Sequence, residues 1–154
     1  MIIRSLMVLL PLAGVASLTA QGRPLTVNGR RALNFGTVLP GVPRVVLRTD
    51  PVNSGEFNIR GPKFSNVQLT FSLPSTMTGP AGALIPLSFW GSDAGYSATS
   101  SIGSQVGFDP QQAFVGQLPN SGRAAVFVGG TALPGTSQRA GSYLATLTLS
   151  VTIL

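Results

Sequence analysis

Residues 143–154 read Tyr143-Leu144-Ala145-Thr146-Leu147-Thr148-Leu149-Ser150-Val151-Thr152-Ile153-Leu154. Every second position from Tyr143 through Ala145, Leu147, Leu149, Val151 and Ile153 is apolar, and hydroxyl side chains dominate the positions between. A period of two puts alternate side chains on opposite faces of an extended strand. This ribbon is therefore dry on one side and wet on the other. The dry side needs a second layer of sheet to cover it, and that requirement decides the fold.

The same period recurs upstream. Ala124–Val128 reads as a strand closed by Gly129-Gly130, and Ala113–Leu118 as a weaker one. Residues 91–107, rich in Gly, Ser and Ala, read as a loop. Leu84–Trp90 is more continuously apolar, and Pro86 lacks an N–H donor, which restricts that strand to a sheet edge or a bulge. Val67, Leu69, Phe71 and Leu73 alternate strictly with Gln68, Thr70 and Ser72, the mark of a half-buried antiparallel strand. Phe57 and Ile59 alternate with Glu56, Asn58 and Arg60 before Gly61-Pro62. Arg44–Thr49, Ala32–Val38 and a short run at Leu25 and Val27 complete the set. No segment has a helical period over a useful length. About seven or eight short antiparallel strands cannot bury their apolar faces as one open sheet. The expectation is an all-β, immunoglobulin-like antiparallel β-sandwich. A closed β-barrel is the alternative, because periodicity does not separate the two.

Composition agrees. The chain has 154 residues, the size of one domain. Charged residues make up 9%, with 19 glycines and 12 prolines, against about 25% charged in an average soluble domain. Glu56 is the only glutamate and Lys63 the only lysine, too few for the surface of a helical bundle. There is no His and no Cys, which removes imidazole bases, Ser-His-Asp and Cys-His nucleophile systems, thiolate zinc sites and disulfide scaffolds.

The N-terminus reads as a secretory signal peptide over residues 1–20. Arg4 precedes an apolar run from Leu6 to Leu12, and small residues follow through Ala16 and Ala20. Cleavage falls after Ala20 or after Ala16. The apolar run is shorter than the ~20 residues of a membrane-crossing helix, so the mature chain is expected to have no transmembrane span. Residues 21–31 then form an N-terminal arm and residues 32–154 the sandwich domain. The net charge is +6, carried mostly by arginines scattered along the sequence. Export and the lack of an aromatic-interleaved basic cluster argue against nucleic acid. Attraction to anionic surface polysaccharide or lipid head groups is one consequence of the charge, and a solvated, aggregation-resisting surface is the other.

Two stretches carry a resemblance. Leu33-Asn34-Phe35-Gly36-Thr37-Val38 with Pro40-Gly41, together with Val128-Gly129-Gly130 and Gly141-Ser142-Tyr143 before the terminal ribbon, resemble a secreted bacterial domain family of unknown function. That family is similar to spore coat protein U and, more distantly, to chaperone-usher pilins. The resemblance covers most of residues 30–154. It implies export and a non-enzymatic structural or adhesive cell-surface subunit of a fimbrium or coat. The pilin likeness further implies assembly by β-strand complementation, with copies of itself or related subunits, a periplasmic chaperone and an outer-membrane usher as partners. On this reading Tyr143, Ala145, Leu147, Leu149, Val151 and Ile153 form the assembly strand, and the N-terminal arm, through Leu25 and Val27, is the donor. The same residues also read as an ordinary core strand and a self-docked terminus.

Enzymatic chemistry finds little support in the residues. The four carboxylates, Asp50, Glu56, Asp93 and Asp109, stand in turn-like or exposed contexts, Asp50 and Asp109 each before a proline. A glycosidase pair or a clustered calcium site is not expected from them. No cofactor is expected either. The alternative function is a monomeric carbohydrate-binding module in the periplasm or at the surface, with Trp90 and Tyr96 as a stacking platform. A core position for Trp90 is the simpler reading of the same residue.

Overall fold

The structure, a computed structural model, describes residues 22–154. The expected signal peptide lies outside the described residues. Twelve strands are found among them: β1 Thr26–Arg31, β2 Arg44–Val46, β3 Gly55–Arg60, β4 Asn66–Ser72, β5 Thr76–Thr78, β6 Leu84–Ser88, β7 Ala94–Ser97, β8 Val106–Phe108, β9 Phe114–Gln117, β10 Arg123–Val128, β11 Gly130–Ala132 and β12 Thr148–Ile153. All pairings are antiparallel. They make a five-stranded sheet in the order β1-β3-β10-β7-β8, a four-stranded sheet β2-β11-β6-β5 and a three-stranded sheet β12-β4-β9. No sheet closes on itself, so the molecule is an all-β sandwich and not a barrel.

The five- and three-stranded sheets face one another. In the three-stranded sheet the register aligns Leu149 with Phe71, Val151 with Leu69 and Phe114, and Ile153 with Val67 and Gly116. Leu147, Leu149, Val151, Val67 and Leu69 are all sealed from solvent. The opposing sheet offers Phe57, Ile59, Val126 and Tyr96. Aromatic rings bridge the gap between the layers. Phe57 meets Phe71 edge-on at 6.1 Å, Phe71 stacks near Phe108 at 6.3 Å, and Phe108 stacks on Phe114 at 4.3 Å. Such pairs add about 0.5–1.5 kcal/mol beyond the area they bury.

Five expectations need correction. The strand count is twelve among the described residues because β5, β7, β8 and β11 form in segments without a clear strand pattern. Ala32–Val38 forms no strand, although Leu33 and Phe35 are buried. The Asn34 side chain accepts a bond from the Gly36 N–H at 2.8 Å, and Gly36 takes a positive φ of 63°. A turn, not a ladder, points the two apolar side chains inward. Residues 91–107 are not a loop throughout. They contain β7, which is buried along its whole length between β10 and β8. Gly95 leaves room for its neighbours, since the side chains of Arg48 and Gln105 occupy the space where a Cβ on Gly95 would stand.

Pro86 lies on β6, an internal strand rather than an edge. It is tolerated because the β6–β11 ladder ends there. The Pro86 carbonyl accepts from the Leu133 N–H at 2.9 Å, and the reciprocal donor is the one proline lacks. The sandwich also begins before residue 32, because β1 is a full member of the five-stranded sheet, with Val27 opposite Ile59.

The alternation in β12 predicts a steep contrast between neighbours. Leu149→Ala is expected to cost about 2–5 kcal/mol, whereas Ser150→Ala, exposed on the other face, should stay within about 0.5 kcal/mol. Urea denaturation of the two variants checks this.

Candidate functional site

The terminal ribbon divides in two. Leu144 forms an isolated antiparallel bridge with Thr78 on β5, with N–H···O distances of 2.9 and 3.0 Å. From Thr148 onward the chain pairs with β4 instead. Residues 143–154 therefore pass from the four-stranded sheet to the three-stranded one. The expected continuous strand from Tyr143 is shortened to β12, and Tyr143 and Ala145 are only partly buried. The Tyr143 ring lies on Gly79, and its hydroxyl donates to the Arg139 carbonyl at 2.6 Å and accepts from Gln138 at 2.7 Å. Beside it is a cavity of about 390 Å³, lined by Phe35, Val38, Met77, Ile85 and Tyr143 among others. Phe35, Met77 and Ile85 come from three separate segments, and no sequence spacing joins them.

β12 is an edge strand. Leu154 N–H donates to the Asn66 carbonyl at 3.0 Å. With the register of β4 this makes Thr148, Ser150 and Thr152 the hydrogen-bonded positions. The backbone groups of Leu149, Val151 and Ile153 then point away from β4, toward a flank that has no ladder partner among the described residues. Edges in natural sandwiches are usually protected by shortness, charge, proline or a bulge. The other edges here follow that rule. β2, β5 and β8 have three residues each and β9 has four. β1 carries Arg30 and Arg31 and a register shift between Gly29 and Arg31. β12 has six residues, no proline and no shift in register, and no charged residue follows Arg139. Its last side chain, Ile153, is 45% exposed, and Leu154 is 66% exposed.

The N-terminal arm is docked on its own chain. Leu25 and Val27 are buried, and β1 pairs with β3. As expected donor residues they are therefore already engaged.

Trp90 and Tyr96 are not brought together as a stacking platform. Trp90 is 69% exposed, contrary to a core assignment, because the preceding Phe89 takes the inward position of the alternation. Its backbone N–H donates to the Asp93 carboxylate at 2.7 Å in a tight turn. Tyr96 is in the core, tilted against Phe114 at 5.8 Å, and its hydroxyl donates to the Gln117 carbonyl of β9 at 2.7 Å. A Cβ on Gly116 would stand 2.9 Å from the Tyr96 ring, so glycine is what lets the ring reach across. The Tyr96 phenol is a tie between sheets.

Each carboxylate is engaged separately. Asp50 accepts from the Asn53 side chain and from the N–H groups of Asn53 and Val52 at 2.8–2.9 Å, which holds its pKa below 3.8, the side-chain bond from Asn53 being the largest cause. Asp109 accepts from the Gln111 N–H. Glu56 is buried and pairs with Arg31 at 3.2 Å and Arg30 at 3.5 Å. Among the described residues no group of His, Cys, Asp or Glu is placed to hold a metal ion, and no helix is long and apolar enough to cross a membrane.

No protein-family model matches the chain, and no curated protein matches it.

Burial pushes the Tyr96 phenol up from 10.0 to about 12. The folded state thus keeps a proton that the unfolded state gives up, so the stabilisation is complete below pH 10 and is lost as pH rises through 10 toward 12. Tyr96→Phe should cost about 1 kcal/mol at neutral pH, from the lost bond to Gln117, and should flatten the alkaline limb. Unfolding free energies measured between pH 7 and 12 test both.

Proposed function

We propose that this protein is a non-enzymatic structural or adhesive subunit, exported to the cell surface, that assembles with further copies by strand addition at the open edge of β12. The observation that carries the reading is the contrast between edges. β12 is six residues long, regular and uncharged, whereas the others are short, or bulged and charged. An added strand would pair with the outward backbone groups of Leu149, Val151 and Ile153, and β-augmentation of this kind draws its affinity from main-chain hydrogen bonds. Export follows from the signal-peptide pattern of residues 1–20.

The added strand comes from a neighbouring copy, by one of two routes. A second β12 is the simpler, because β1 is already paired with β3. Donation of Leu25 and Val27 needs β1 to leave β3 and make the same contacts between molecules, as in a domain swap. A carbohydrate platform at Trp90 and Tyr96 draws no support from the geometry, since Tyr96 is buried.

Ile153→Pro removes one outward N–H while sparing the bonds to β4. The purified protein should form oligomers whose size grows with concentration in light scattering, and Ile153→Pro should leave a monomer melting within a few degrees of the parent. A parent chain that stays monomeric at every concentration would rule the proposal out. Locking β1 to β3 with a Val27→Cys/Ile59→Cys disulfide should leave the oligomer intact if β12 is the added strand, and dissolve it if the arm is the donor.

A further inference from the structure

Three of the arginines scattered along the sequence, Arg30, Arg60 and Arg123, meet in one pocket. In the five-stranded sheet Arg60 of β3 stands directly opposite Arg123 of β10, and Thr26 of β1 is the other neighbour of Arg60. Like charges placed opposite one another destabilise a sheet unless something compensates. The ion pairs among the described residues are both at Glu56, with Arg30 and Arg31. Neither Arg60 nor Arg123 has one. Arg30, Arg60 and Arg123 line a pocket of about 180 Å³ together with Asn58 and Ser100. Ser100 is held at a positive φ of 58°, which a non-glycine residue adopts at some cost.

A second pocket, of about 330 Å³, adjoins the first along residues 60–61 and 121–123, and Arg23 and Lys63 line it. Arg23 is held there by a bond of 3.1 Å from its guanidinium to the Ser121 carbonyl. One end of the sheet thus carries five cationic side chains in two adjacent recesses, with Glu56 as the only nearby carboxylate partner.

We infer that this strip is a binding site for an acidic polysaccharide, with Arg30, Arg60 and Arg123 holding one sulfate, phosphate or carboxylate group and Arg23 and Lys63 meeting the next along the chain. Guanidinium groups match such oxyanions through paired N–H donors, and Asn58 adds a neutral donor. A pocket of about 180 Å³ admits one anionic group, and the adjoining recess suits a ligand that repeats its charges. Ile59 and Ala124, the apolar residues of the first pocket, are both buried, so that pocket offers no exposed apolar anchor for a bilayer. No aromatic ring lines either recess, which leaves no platform for stacked bases. The site is independent of assembly at β12.

The test titrates the protein with dextran sulfate, at low and raised salt, against neutral dextran. Binding should be specific to the sulfated polymer and should weaken as salt rises. Arg60→Gln/Arg123→Gln should weaken it by about tenfold or more, while its melting temperature does not fall, since a like-charge pair is relieved. If that variant does not fold, Arg60→Lys/Arg123→Lys keeps the charge, removes the guanidinium forks and should still weaken binding. Arg44→Gln/Arg139→Gln removes the same charge away from the site and should change affinity by less than about twofold. Ile153→Pro should bind as the parent does, which separates failure of this site from failure of assembly. The inference is overturned by absence of binding, by equal losses in the Arg60/Arg123 and Arg44/Arg139 variants, or by tighter Arg60- and Arg123-dependent capture of phosphatidylglycerol vesicles or duplex DNA.

Discussion

Everything in this molecule depends on covering apolar faces that a period of two generates and that no single sheet can hide. The cover is reciprocal. β4 and β12 present Val67, Leu69, Phe71, Leu149 and Val151, and β3, β7 and β10 present Phe57, Ile59, Tyr96 and Val126. The rings of Phe57, Phe71, Phe108 and Phe114 form a continuous chain of contacts through the interior. Tyr96 adds direction to an otherwise non-directional attraction, because its hydroxyl accepts only one placement of β9. Register in each layer is fixed by the same demand, since a slip of one residue would turn every buried side chain outward.

The parts of the fold that follow from local pattern were legible in the sequence. β3, β4 and β12 each show alternation over several residues and β10 is a continuous apolar run, and each lies within a residue or two of its expected limits except at the N-terminal end of the last run. That exception has a tertiary cause. The bridge between Leu144 and Thr78 diverts the ribbon to another sheet, and alternation alone does not report which neighbour a strand chooses. β7 was hidden for the opposite reason: its Ala, Gly and Ser residues look like a loop, and at Gly95 the small size makes room for Arg48 and Gln105. At Leu33 and Phe35 an Asn-centred turn reproduced strand-like alternation.

The candidate sites were legible in part. The unusual edge of β12 shows in the sequence, because it rests on what is missing after Arg139. The fate of Trp90 depended on Phe89 taking the inward position, and a run as apolar as Leu84–Trp90 has no phase from which to read that. The arginine cluster was invisible for a simpler reason. Arg30, Arg60 and Arg123 are far apart in sequence and meet only because β3 lies between β1 and β10.

The pairing of β4 with β12 joins residues 67–72 to residues 148–153, across more than half of the described chain. A polypeptide made from its N-terminus has β4 long before it has the strand that completes that layer. Until β12 has emerged, Leu69 and Phe71 lack a neighbour on one side, and the two layers have nothing to close against there. Completion of that layer therefore waits for β12, and contacts of such long sequence separation are slow to form. A chain built this way cannot complete its core from its N-terminal half alone.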